Sequence, residues 1–179
     1  MDATLLADLI RHAADRSPAT KALTFGEVSL DYAGLDSAVS RFATGLMALG
    51  LARAERVAIY LDKRFETVIA SFGTTAAGGV FVPLNPLLKP EQVRYILADC
   101  NVRILVTTPE RLALLDEALK HCPDLRITVV AGQPSSALGE AYSQNIVAWN
   151  DLIGHAHQRA HRVIDTDMAA ILYTSGSTG

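Results

Sequence analysis

Cysteine is scarce in this chain of 179 residues: Cys100 and Cys122 are its only two. No C-x-x-C spacing joins them, so neither a disulfide framework nor a cysteine zinc site is expected. A basic surplus is missing as well, with 16 Lys plus Arg against 19 Asp plus Glu and a net charge of -3. Neutralising nucleic-acid phosphates or anionic lipid headgroups requires an excess of cations, so a nucleic-acid partner and an electrostatic membrane anchor are both excluded. Met1-Asp2-Ala3-Thr4 lacks the basic start and apolar block of a secretion signal, which points to the cytoplasm. From Thr67 to Leu88 no residue is charged, a length that could cross a bilayer. That run, however, contains Gly73, Gly78, Gly79, Pro83 and Pro86. Glycine and proline there break a helix and would free backbone groups that lipid cannot satisfy, so no membrane span is expected.

What the chain has in quantity is apolar residues, at 50% of the total against 20% charged, with a mean hydropathy of +0.22. A chain of this size and composition buries a core, and disorder is excluded. The apolar positions alternate between two periods. Leu5, Leu6, Leu9, Ile10 and Ala13 recur at helical spacing behind Thr4 as N-cap, and Ser17-Pro18 ends that helix. Lys21 to Phe25 and Val28 to Tyr32 flank Gly26-Glu27, the pattern of a hairpin. A helix from about Gly34 to Leu49 carries Leu35, Val39, Phe42 and Leu46 on one face and stops at Gly50. Arg56 to Leu61 follows as a strand, Phe65 to Ala77 as a helix and Val80 to Pro83 as a strand. A helix begins at Pro90 and ends at Asp99-Cys100-Asn101. Strand 102–107, helix 109–121 and strand 126–130 come next; Ala131 to Asn145, rich in Gly, Pro, Ser and Gln, is expected to be a surface loop. Ile146 to Ile153 is expected to form a short helix, and Met168 to Tyr173 a last buried strand. Strands alternating with helices, and nearly continuous in apolar residues, predict an α/β fold with a mainly parallel sheet flanked by helices.

The last strand runs into Thr174-Ser175-Gly176-Ser177-Thr178-Gly179. Glycine permits the positive φ angles at which successive backbone N–H groups form an anion nest, and lets phosphate oxygens approach closely. The hydroxyls of Thr174, Ser175, Ser177 and Thr178 add further donors. Neither G-x-x-x-x-G-K-[ST] nor G-x-G-x-x-G is present, and Ser175 stands where a G-x-S-x-G nucleophile elbow needs glycine. Because a glycine-rich turn normally connects two elements, the chain is expected to be a fragment cut inside a functional loop.

The string from Met168 through Tyr173 to Gly179 resembles the phosphate-binding motif of AMP-forming adenylating enzymes, the superfamily of acyl-CoA synthetases, luciferases and peptide-synthetase adenylation domains. Leu30-Asp31-Tyr32-Ala33-Gly34-Leu35 is similar to that family's first motif, a strand-to-helix join with a buried tyrosine. Ala76 to Pro86 is similar to its second, and the order and spacing agree from Thr4 to Gly179. Asn85 to Gln92 is similar, more narrowly, to acyl-CoA ligases that accompany the bacterial exosortase system. The resemblance implies the incomplete N-terminal domain of an enzyme that joins ATP to a carboxylic acid, giving acyl-adenylate and pyrophosphate, then passes the acyl group to a thiol. Coenzyme A is the implied acceptor, and a carrier-protein thiol is the alternative. Thr174, Ser175, Gly176, Ser177, Thr178 and Gly179 would hold the β- and γ-phosphates of ATP, with Mg2+ sharing their charge. The family's adenine pocket, acyl pocket, magnesium-binding glutamate and C-terminal lid all lie beyond Gly179, so 1–179 is expected to be inactive alone. A stand-alone nucleotide-binding or interaction module is a further alternative.

Other polar residues carry weaker signals. His157 and His161 stand four apart, with His155 nearby, a spacing that could hold a metal on a helix but fits a solvated segment better; no metal site is assigned. Glu55-Arg56 and Asp62-Lys63-Arg64 are expected to be charges at strand ends, solvated or in weak surface pairs. Cys100 and Cys122 are expected to be inert, and Trp149 to pack in the core.

Overall fold

A computed structural model describes residues 5–132, 145–155 and 161–174. Five parallel strands form the central sheet in the order β4-β3-β5-β6-β7: β3 (Arg56–Ile59), β4 (Val80–Pro83), β5 (Val102–Thr107), β6 (Ile127–Val130) and β7 (Asn145–Ala148). A separate antiparallel hairpin pairs β1 (Lys21–Phe25) with β2 (Val28–Asp31), turning at Gly26, whose φ of +58° is left-handed. The helices are α1 (Asp8–Arg16), α2 (Tyr32–Ala48), α3 (Phe65–Ala76), α4 (Pro90–Asp99), α5 (Pro109–Leu119) and the short α6 (Trp149–Leu152).

Two apolar clusters sandwich the sheet. On one face Ile10 of α1, Leu35, Phe42 and Leu46 of α2, Ile69 and Ala70 of α3, and Trp149 and Leu152 of α6 pack with Val57, Ile59, Ile104 and Val106. On the other, Val93, Ile96 and Leu97 of α4 and Leu112, Leu115 and Leu119 of α5 pack with Ala58, Val82, Leu105 and Val130. Alternate residues of β3 and β5 therefore serve opposite faces, which is why these strands are apolar almost throughout. The predicted α/β class and the parallel sheet flanked by helices are what the structure contains.

Four expectations need correction. The first helix starts at Asp8, because the Asp8 carboxylate accepts the Leu5 N–H at 3.3 Å and ties residues 5–7 into a preceding turn; Thr4 lies outside the described residues. Helix α2 starts at Tyr32, two residues early, because Asp31 is its N-cap and accepts the Gly34 N–H at 2.8 Å; Tyr32 is half-buried. Within 146–153, Ile146 and Val147 belong to a strand, since these β-branched residues complete the parallel ladder beside Thr128 and Val129. Only Trp149–Leu152 is helical there. Finally, 168–173 is an extended edge segment rather than a buried core strand: Met168 and Leu172 are exposed, and a single parallel bridge joins Ala170 to Phe81.

Candidate nucleotide site at the carboxyl edge of the sheet

In a parallel sheet the strands all point to one edge, where connections leave for the helices and ligands normally sit. Phe81 recruits the 168–174 segment to this edge. Its N–H donates to the Ala169 carbonyl at 3.0 Å, and its own carbonyl accepts the Ile171 N–H at 3.1 Å. The bridge is parallel, so the chain beyond Ala170 follows β4 toward its carboxyl end and delivers Tyr173 and Thr174 there. Ile171 packs on the α4–α5 cluster while Leu172 faces outward, the period of two that an extended segment imposes.

Tyr173 and Thr174 line a cleft of about 830 Å³ with Pro83 at the end of β4, Asn85 and Leu88 of the β4–α4 connection, and Gln92 and Tyr95 of α4. The Tyr173 hydroxyl donates to the Asp99 carboxylate and lies 3.3 Å from the Cys100 sulfur. Burial and the bond to Asp99 push this phenol far above its usual range, so it stays protonated as a donor. Thr174, the first residue of the predicted phosphate loop, is thus placed at the carboxyl edge with its side chain exposed. Ser175, Gly176, Ser177, Thr178 and Gly179 lie outside the described residues.

Sequence reasoning missed two residues beside this cleft, Tyr60 and Arg111. Arg111 donates to the Pro86 carbonyl at 2.7 Å and to Asp62 at 2.7 Å, and its guanidinium carbon sits 4.7 Å from the centre of the Tyr60 ring. The Tyr60 hydroxyl donates to the Leu88 carbonyl at 2.8 Å. An arginine pattern that binds backbone carbonyls leaves no signature in sequence, because its partners are oxygens that every residue possesses.

Of the charges expected to be solvated or in weak surface pairs, most are paired, and Lys63 is exposed. Arg64 forms a fork with Glu66 at 2.7 Å on each arm; burial pushes the Glu66 carboxyl up, but that fork and a backbone N–H hold it below its usual value. Glu55 pairs with Arg126 and Arg103, and Arg56 donates to the carbonyls of Cys100 at 2.5 Å and Asn101 at 2.8 Å. His161 is bonded through Nε2 to the Leu51 carbonyl at 2.9 Å; His155 is exposed, and His157 lies outside the described residues. Cys100 and Cys122 are buried, as is Trp149, which stacks on Phe42 with ring centres 4.8 Å apart.

The family model for AMP-binding enzymes matches residues 10–179. The chain belongs to this family. Among relatives of the AMP-binding chain, tyrocidine synthase 3 of Brevibacillus parabrevis is 33% identical over 177 residues, covering 97% of this chain and 2% of that protein. The 3-hydroxybenzoate/4-hydroxybenzoate–CoA ligase of Thauera aromatica is 32% identical over 160 residues, covering 88% of this chain and 29% of the ligase. The crystal structure of the anthranilate CoA ligase AuaEII in complex with anthranoyl-AMP superposes with a TM-score of 0.81 at 25% identity, covering 98% of this chain and 33% of that one. The chain therefore spans a third or less of the length of these AMP-binding relatives. Among the described residues no helix is long and apolar enough to cross a membrane, and no cluster of three His, Cys, Asp or Glu side chains could hold a metal ion.

Proposed function

We propose that this chain is the N-terminal part of an adenylate-forming ligase, with a phosphate-binding loop that begins at Thr174. In the first half-reaction a carboxylate oxygen of the substrate bonds to the α-phosphorus of ATP, the bond from that phosphorus to the β-phosphate bridge breaks, and pyrophosphate leaves. In the second a thiol sulfur bonds to the acyl carbon, AMP departs with the former carboxylate oxygen, and the thiol proton goes to solvent. The observation that carries the reading is the delivery of Tyr173-Thr174 by a parallel bridge to the carboxyl edge, at the start of a Gly/Ser/Thr run within a family match to Gly179. Thr174, Ser175, Gly176, Ser177, Thr178 and Gly179 are proposed to hold the β- and γ-phosphates, with Mg2+ accompanying ATP. Coenzyme A is the proposed acceptor, in keeping with the hydroxybenzoate and anthranilate ligases. A carrier-protein thiol is the second reading, favoured by the similarity to tyrocidine synthase 3.

The test is carboxylate-dependent exchange of labelled pyrophosphate into ATP, in the polypeptide extended to the length of its ligase relatives. The chain of 179 residues alone is expected to give no turnover, since it covers only 33% of the anthranilate CoA ligase chain and 29% of the hydroxybenzoate ligase. Thr178→Ala is expected to slow exchange without lowering the melting temperature. Losing one donor to developing charge costs about 3 kcal/mol at a rigid site, and less where neighbouring hydroxyls share the contact. Equal rates would remove Thr178 from the phosphate contacts. Adding coenzyme A or a carrier domain to the enzyme holding its acyl-adenylate then distinguishes the two acceptors.

A further inference from the structure

The geometry points to Arg111 as a positioning residue for the adenylation site: it holds the β4–α4 connection in the shape that walls the cleft at Tyr173 and Thr174. The inference rests on the reading above. Strand β3 lies between β4 and β5, and its connection leaves for α3 on one face while those of β4 and β5 leave for α4 and α5 on the other. Such a divergence opens a crevice outside the carboxyl ends of the strands, ordinarily a place for ligand. Here Arg111 fills it. Its side chain is only 17% exposed, and the guanidinium covers the Tyr60 ring and bonds to Asp62. The remaining arm reaches across to the Pro86 carbonyl.

The connection is anchored at its ends, by the buried Leu84, whose N–H donates to the Ile59 carbonyl at 2.9 Å, and by Leu88 against the α4–α5 cluster; the contact matters at the tip between them. At the tip Leu87 is 89% exposed, and its N–H bonds only within the loop, to the Asn85 side chain at 2.9 Å. Pro86 has no N–H to donate, and its carbonyl is its one polar handle. The Tyr60 hydroxyl holds the next carbonyl but one, that of Leu88, and stands 3.5 Å from that of Pro86. Arg111 and Tyr60 therefore form a clamp on two carbonyls of one loop, and Asn85 and Leu88 of this loop line the cleft with Thr174. The ion pair with Asp62 does not account for an arginine. Its carboxylate is 68% exposed, so the pair stabilises little, and a lysine would serve it equally. A planar fork that bonds a carboxylate and a carbonyl while stacking on a ring requires guanidinium.

Two measurements on Arg111→Lys and Tyr60→Phe test this, with Arg111→Ala as the harsher variant. In the chain itself, amide exchange at Leu87 and Leu88 should quicken by about tenfold or more as the clamp opens, while Leu105 in β5 keeps its protection. In the extended enzyme, kcat for pyrophosphate exchange should fall about ten- to a hundredfold, the effect of a displacement near 1 Å, with the melting temperature unchanged. Quickened exchange at Leu87 and Leu88 with wild-type kcat would overturn the inference, because the loop would be free and the chemistry indifferent to it. A kcat loss tracking a fall in melting temperature would also overturn it, as a purely structural effect. If the extended wild-type enzyme shows no carboxylate-dependent exchange, the adenylation reading fails, and the inference with it.

Discussion

Gly45 looks like an unfavourable residue in the middle of a long helix, and its reason is a neighbour far along the chain. A Cβ at this position would lie 2.3 Å from the Leu152 carbonyl oxygen and 2.7 Å from the Leu152 Cγ, so α2 and α6 meet there backbone to side chain. Gly45→Ala should destabilise the fold by about 1–3 kcal/mol, the cost of overpacking a filled contact, read from the urea midpoint. A wild-type midpoint would mean that α6 yields freely. Cys122 offers the opposite lesson, since the sequence already marks it as inert. Burial pushes its thiol above the ordinary value, although Arg94 nearby pulls the other way. At pH 8 Ellman's reagent should therefore react slowly with folded protein and quickly once urea unfolds it. Rapid reaction of the folded protein would contradict the burial. Inertness rests in the sequence on the lack of a C-x-x-C partner, and Lys120 and His121 just before Cys122 argue the other way until burial decides it, whereas the Gly45 contact depends on a residue over a hundred positions away.

Among the elements, those with strong local signals fell where the sequence places them: β4 and β5 match their apolar runs, and Pro90 opens α4 with the Gln92 side chain accepting the Lys89 N–H at 3.0 Å. The segment 168–174 did not. Its apolar residues suggest burial on both faces, but only the inward set is covered, and Phe81 alone joins it to the sheet. A side-chain tether upstream compensates. Arg53 donates to both oxygens of Asp167 at 3.1 and 2.5 Å, and Asp167 also accepts the Ile164 N–H at 3.1 Å. The Arg53 bond, followed by that backbone bond, holds the Asp167 carboxyl below its ordinary value of 3.8. A carboxyl depressed in the folded state stabilises above its unfolded value and loses that contribution as the pH falls through the folded one. The tether should thus be constant from pH 7 to 5 and released on acidification below about pH 4. Amide NMR signals of Phe81 and Ile171 should shift over that acidic range, and Asp167→Asn should abolish the response. An unchanged titration in the variant would show that another group holds the segment.

At the scale of the whole molecule, the sandwich depends on a contact between remote parts of the chain. The alternation of strands and helices made the parallel sheet legible. It could not give the strand order, nor the position of Trp149, because both depend on which faces meet after the chain folds back. Phe42, fully buried in α2, stacks on Trp149 at the start of α6, so the helix after β2 is joined to the strand at the far edge of the sheet. Aromatic pairs of this kind add about 0.5–1.5 kcal/mol to the burial of the rings themselves. Phe42→Ala removes both contributions and leaves a cavity against Leu46, Ile69 and Leu152, for a loss of about 3–5 kcal/mol. Set against a total of about 5–15 kcal/mol for a typical domain, that loss leaves the variant marginal at 25 °C. Trp149 is the only tryptophan, so its fluorescence reports the contact without interference. The expected outcome is a red-shifted emission and a lower urea midpoint for Phe42→Ala, with Phe42→Leu falling between the variant and wild type. Because α4 and α5 share the same sheet strands from the other face, circular dichroism should report the same midpoint as Trp149. Two separate midpoints would mean that the α4–α5 face survives loss of the Phe42–Trp149 contact and that the sandwich is not one cooperative unit.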